Sequence, residues 1–179
     1  MKLPSPLWIY GWRLGWNNVQ ANRAGVAGRV FLSAFYTPFP ISIRRIDHQL
    51  GVLGGAGTFL RFGLYANGGT LQAPLPDGGK LLIDTGDIVA SSNLFKDIAI
   101  NPTNIPTGWF FLCLETGDAT INYIGTGGNS TIVNQGGEQL RGCFYDRVGG
   151  YGPLIDPCPV TTALDTANLV ALLRYVQSS

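Results

Sequence analysis

Charged side chains are scarce in this sequence. Asp, Glu, Lys and Arg together make up 13% of its 179 residues, where about 25% is usual for a soluble domain. Surface charge keeps a monomer in solution, so the shortage implies that much of the surface is covered by copies of the chain or by a partner. No basic run occurs and the formal net charge is +1, which leaves no electrostatic footprint for nucleic acid. Histidine occurs once, at His48, and cysteine three times. No zinc-ligand set therefore has the spacing it needs, and no cofactor is expected. The odd number and wide spacing of Cys113, Cys143 and Cys158 do not describe a disulfide framework. Cys143 and Cys158 could pair, but three reduced thiols is the preferred reading, with Cys113 a small core residue. No apolar run approaches the roughly 20 residues that cross a bilayer. The start, Met1-Lys2-Leu3-Pro4-Ser5-Pro6, has no long apolar stretch behind its charge. The expectation is a chain made in a cytoplasm, without secretion or membrane insertion.

What is present is a core and its punctuation. Hydrophobic residues make up 45%, with 25 glycines and 11 prolines scattered along the chain. Between them lie short runs rich in β-branched and aromatic residues, the signature of a sandwich or barrel. Strands are expected at 30–39, 41–53, 58–66, 80–89, 95–100, 109–116, 119–124, 131–133, 140–148 and 170–176, with one helical turn within 161–167 and a turn over 102–108. In 41–53 the alternation changes phase around Arg44-Arg45, from Ile41 and Ile43 to Ile46, His48 and Leu50, which predicts a β-bulge. In 58–66, Leu60, Phe62 and Leu64 point one way and Phe59, Arg61, Gly63 and Tyr65 the other. The run 109–116 is too continuously apolar for a half-exposed strand, so it belongs centrally in a sheet, between layers. The fold class is all-β, a two-sheet antiparallel β-sandwich of jelly-roll kind over 29–179. Residues 1–28 read as an extended aromatic arm whose Trp8, Tyr10, Trp12 and Trp16 need a surface to bury them, in the parent domain or a neighbouring subunit.

The sharpest enzymatic signal is Leu81-Leu82-Ile83-Asp84-Thr85-Gly86, similar to the active-site turn of aspartic proteases, whose paired aspartates share a proton. Asp87 follows where that pattern has a small residue, and a second Asp-Thr-Gly is absent, so a dyad would need a homodimer. The competing reading is a turn after a strand, with Asp84 capping nearby N–H groups. No serine lies in a nucleophile elbow. Trp109, Tyr123, Tyr145 and Tyr151 read as aromatics that could stack on a sugar or pack in a core or interface. The loops 125–130 and 149–153, with Asn129, Tyr145 and Tyr151, are the candidate surface-binding positions. Gly63 leaves room on the face of Phe59 and Tyr65, and Arg61 on that face, if buried, needs an acidic partner or backbone carbonyls, with Asp84 or Asp87 as candidate acids.

Three segments share a pattern: Leu60-Arg61-Phe62-Gly63-Leu64-Tyr65, Leu81-Leu82-Ile83-Asp84-Thr85-Gly86 and Pro106-Thr107-Gly108-Trp109-Phe110-Phe111-Leu112. Together with Phe35–Ile46 they resemble a β-sandwich module of tailed-bacteriophage structural proteins. The resemblance spans about 30–116, and Thr107 between Pro106 and Gly108 departs from it. It implies a non-enzymatic virion protein made in the host bacterial cytoplasm. Such a protein would assemble as a symmetric oligomer, a trimer by expectation, with other virion proteins and with host surface glycan as a further partner. A tail or fibre component is the first placement and a capsid decoration protein the second. A monomeric carbohydrate-binding module and the protease-like dimer are the readings from other classes. Arg61, Gly63, Tyr65, Asp84, Gly86, Gly108 and Trp109 become structural motif residues under the resemblance, and no catalytic residue carries over.

Overall fold

The computed structural model describes residues 8–10, 20–126, 132–133, 139–140, 142–163 and 171–177, with side chains over 22–123 and 142–162. Among the described residues fifteen strands run in chain order: β1 (Trp8–Tyr10), β2 (Gln20–Ala24), β3 (Arg29–Thr37), β4 (Ile41–Val52), β5 (Phe59–Ala66), β6 (Leu81–Asp84), β7 (Ile88–Val89), β8 (Phe95–Ile105), β9 (Gly108–Thr116), β10 (Asn122–Thr126), β11 (Ile132–Val133), β12 (Gln139–Leu140), β13 (Cys143–Asp146), β14 (Thr162–Ala163) and β15 (Ala171–Gln177). No helix occurs among the described residues. One sheet follows the order β1-β15-β4-β10-β2, with β8 also on β4. The other follows β14-β13-β3-β9-β5-β6, with β7 beside β6 along the same edge of β5. β11 and β12 form a separate hairpin pair. Every strand pairing is antiparallel, and the two sheets pack face to face, as expected of a β-sandwich.

The core between the sheets is built from the predicted alternation. Phe31 and Phe35 of β3, Phe110, Leu112 and Leu114 of β9, and Leu60, Phe62 and Leu64 of β5 meet Ile41, Ile43, Ile46 and Leu50 of β4. Tyr123 of β10 joins them, its ring 5.0 Å from that of Phe31. His48 is buried in the same layer, with its ring 5.3 Å from Phe62. Each fully buried Leu, Ile or Phe here contributes about 2–3 kcal/mol of apolar transfer. The phase change in β4 is a bulge: Arg44 is skipped in the registers with both β8 and β15. It lets Ile41 and Ile43 share the core face with Ile46, His48 and Leu50.

β9 lies between β3 and β5 in its sheet and is buried along its length. Its inner face meets the other sheet. Its outer face, with Trp109, Phe111 and Cys113, packs into a second apolar cluster with Val30, Leu32, Tyr65, Tyr145, Leu154 and Cys158. Cover on both faces explains the unbroken apolar run.

Several expected boundaries moved. The strand expected over 80–89 is broken into β6 and β7 by the turn at Thr85–Asp87, where Gly86 has a φ of +70°. β8 continues to Ile105 instead of turning at Pro102. Its register with β4 jumps from Ala99 to Thr103, so Pro102 sits in a bulge where no ladder N–H is required. The strand expected over 140–148 is divided into β12 and β13, and Thr162–Ala163 is a short strand on β13 rather than the start of a helical turn. Within the segment read as an arm, Trp8–Tyr10 pairs with β15 and Gln20–Ala24 with β10. Trp12, Trp16 and Asn129 lie outside the described residues.

Candidate functional site

The charged residues singled out in the sequence converge on the outer face of the second sheet. β5 alternates, so Arg61, Gly63 and Tyr65 project away from the inter-sheet core. Arg61 is buried there and acts as a two-armed clamp. Its Nη1 donates to both oxygens of Asp84, at 3.0 and 2.9 Å, and its Nη2 donates to Asp87 Oδ1 at 2.5 Å. The ring of Tyr151 lies 5.8 Å from the guanidinium carbon, and its hydroxyl donates to the same Asp87 oxygen at 3.1 Å. Burial pulls the Arg61 guanidinium down, while Asp87, Tyr151 and Asp84 more than offset that and raise it. The Arg61 hydrogen bond holds the Asp87 carboxyl below its ordinary value.

The Asp-Thr-Gly tripeptide is the turn that presents this clamp. Asp84 Oδ1 accepts the Gly86 N–H at 2.9 Å, and Thr85 Oγ1 both accepts from the Phe62 N–H and donates to the Phe62 carbonyl. Both Asp84 oxygens are bound by arginine, whereas a protease dyad has an aspartate facing a second aspartate. Among the described residues no group of three or more His, Cys, Asp and Glu is placed to hold a metal ion.

Over the clamp lies residue stretch 147–161, a strap that crosses the outer face and is tied at intervals by polar groups. The Arg147 N–H donates to the Gly28 carbonyl, and the Leu154 N–H donates to Asp84 Oδ2 at 3.2 Å. Tyr65 donates to the Ile155 carbonyl at 2.8 Å and its hydroxyl lies 3.0 Å from that of Tyr145. Asp156 accepts the Leu81 N–H, Cys158 exchanges backbone bonds with Gly78 and Gly79, and Asp77 accepts from both the N–H and the hydroxyl of Thr161. Leu154 occupies the space that a side chain at 63 would need. A Cβ there would also lie 2.8 Å from the Ile83 carbonyl and 2.9 Å from Cys113 Sγ. All three cysteines are free and buried. Burial pushes the thiols of Cys143 and Cys158 up to about 12 and that of Cys113 well above its ordinary value.

Of the other expected positions, Trp109 is buried against Tyr36 and donates from Nε1 to the Leu71 carbonyl. Tyr145, expected on a surface loop, is 4% exposed in β13. Tyr123 is likewise a core residue, because it faces Phe31 across the sandwich. Tyr151 is half-buried on the clamp. Gly108 opens β9 with a φ of +149°. No pattern along the chain pointed to Glu115 or Arg147. Glu115 stands opposite Arg61 in the β5–β9 register and is fully buried, and burial pushes its carboxyl up to about 7. A single acid at the end of an apolar run reads as the point where a strand leaves the core, so only a partner from a distant loop could reveal it. No family model, curated protein or solved structure matches the chain.

Proposed function

We propose that the chain is a non-enzymatic structural subunit of a tailed-bacteriophage particle, a β-sandwich that assembles with copies of itself. The observation that carries this reading is the use of the motif residues. Arg61, Asp84 and Asp87 satisfy one another, Gly63 admits Leu154, and Tyr65 ties the strap. Residues that resemble the phage module thus work as internal bracing, which suits a scaffold. Exposed apolar side chains support self-association. Phe59 and Val89 face one another across β5 and β7 in the second sheet, and Val52, Leu94 and Phe95 are exposed at or beside the ends of β4 and β8 in the first. Exposed apolar side chains on a chain with so little charge fit contact with a second copy.

The tail or fibre is the first placement and capsid decoration the second. Light scattering at two concentrations, with Phe95→Asp beside the parent protein, tests assembly. The reading expects a discrete oligomer that the substitution weakens at least tenfold. A concentration-independent monomer contradicts it. Antibody labelling of intact particles then assigns head or tail. Asp84→Asn addresses the protease-like alternative: loss of a peptidase activity with retained fold would support that alternative over the structural reading.

A further inference from the structure

Glu115 is anomalous in this outer layer. It is 0% exposed, and neither carboxylate oxygen has a full hydrogen-bond partner. The N–H of Gly152 reaches toward it from the strap and favours its charged form, as do the charges of Arg147 and Arg61, while Asp84 opposes it. Val30 on β3 is its other cross-strand neighbour and carries no charge. The two guanidiniums are not closed onto it: Arg61 is committed to Asp84 and Asp87, and the Nε atoms of Arg61 and Arg147 are themselves buried without partners. The Arg147 guanidinium lies directly beneath Gly152, where a side chain at 152 would strike it. Val148 beside it is 99% exposed, and glycine-rich 149–152 gives this end of the strap a short, pliable lever.

An isolated buried carboxylate is tolerated when neutral and strongly disfavoured when charged. We propose that Glu115 is a proton-controlled latch for the 147–154 end of the strap: protonated, it stays packed beneath Gly152, and ionised, it draws in water and Arg147 and loosens that end. The charged or titratable groups that act on it or feel it are Arg61 on β5, Asp84 at the end of β6, Arg147 on the strap and Cys113 on its own strand, with Asp87 and Tyr151 one step further out on Arg61. Asp87 is held below its ordinary value and the Arg61 guanidinium is raised above its own, so Glu115 is the carboxyl raised toward neutrality. A carboxyl that holds its proton more tightly when closed favours closure at lower pH. That preference declines as pH rises from the unfolded value near 4.5 and is gone once pH passes about 7.

The test is native-state hydrogen exchange of the Gly150 and Leu154 amides at pH 6 and pH 8, after division by intrinsic chemical exchange rates. The Thr161 amide at the far end of the strap serves as an internal reference. Protection at Gly150 and Leu154 should fall about tenfold between the two pH values, the change that a carboxyl shifted to about 7 imposes. Thr161 should change much less. Glu115→Gln, neutral and of the same shape, should abolish the fall, whereas Asp87→Asn should keep it. A parent protein with no fall, a Glu115→Gln protein that retains it, or a fall shared equally by Thr161 would each overturn the latch. The proposal does not depend on the phage reading, and its readout is independent of assembly.

Discussion

The two faces of the sheet that carries β3, β9 and β5 are buried by different means. The inner face meets another sheet, and regular strands on both sides supply alternating Leu, Ile and Phe. The outer face meets a strap without regular structure along most of its length, and only part of that contact is apolar. The rest is tied by carboxylates: Asp84 to Leu154, Asp87 to Tyr151, Asp156 to Leu81 and Asp77 to Thr161. A sheet brings its own backbone partners to a contact, whereas a strap has backbone N–H and C=O groups that the face beneath must satisfy. That difference explains why Arg61, Tyr65 and the aspartates are placed where they are.

Substitutions on the two faces should differ in cost. Phe62→Ala on the inner face should have the largest effect, about 3–5 kcal/mol by urea unfolding, because a fully buried aromatic leaves a cavity between two rigid sheets. Arg61→Met comes next, at about 2–4 kcal/mol, since it strands Asp84 beneath the strap. Gly63→Val should cost about 1–3 kcal/mol, because the new side chain meets the Ile83 carbonyl as well as Leu154. The double variant with Leu154→Ala should recover part of that loss, and strict additivity would argue against close packing at this point.

Asp87→Asn should cost less than about 1 kcal/mol, because that carboxylate is half-exposed. Its pH dependence runs opposite to that of Glu115. A carboxyl lowered by Arg61 adds stability above its ordinary value of 3.8, and that stability is lost as pH falls through the lower folded value. Thermal melts between pH 3 and pH 8 should therefore peak in the mildly acidic range. The Asp87→Asn protein should lose only part of the acid-side decline.

The inner face could be read directly from the chain, because alternation at Leu60, Phe62 and Leu64 and the phase slip at Arg44 record which side chains enter the core. The pairing of Arg61 with Asp84 and Asp87 was partly legible, since a buried guanidinium calls for acid or backbone carbonyls, and Asp84 in the shared pattern and Asp87 just after it were the acids at hand. The strap was not. Residues 147–161 show no periodicity, and the side-chain ties over 151–161 come from groups 64 to 90 positions away on other strands and turns. Tyr145 was mistaken for a surface residue for that reason: its cover comes from the strap.

The outer face is closed by a polar-tied strap that should open independently of the sandwich. Native-state hydrogen exchange in increasing sub-denaturing urea, on the parent protein and Arg61→Met, separates the two openings. Leu154 and Cys158 amides should exchange through an opening of low urea dependence, while the core amides of β5 and β9 exchange only with global unfolding. Arg61→Met should lower Leu154 protection by more than it lowers global stability. If strap and sheet amides merge into one opening of full urea dependence in both proteins, the strap is simply part of the core and the account is wrong.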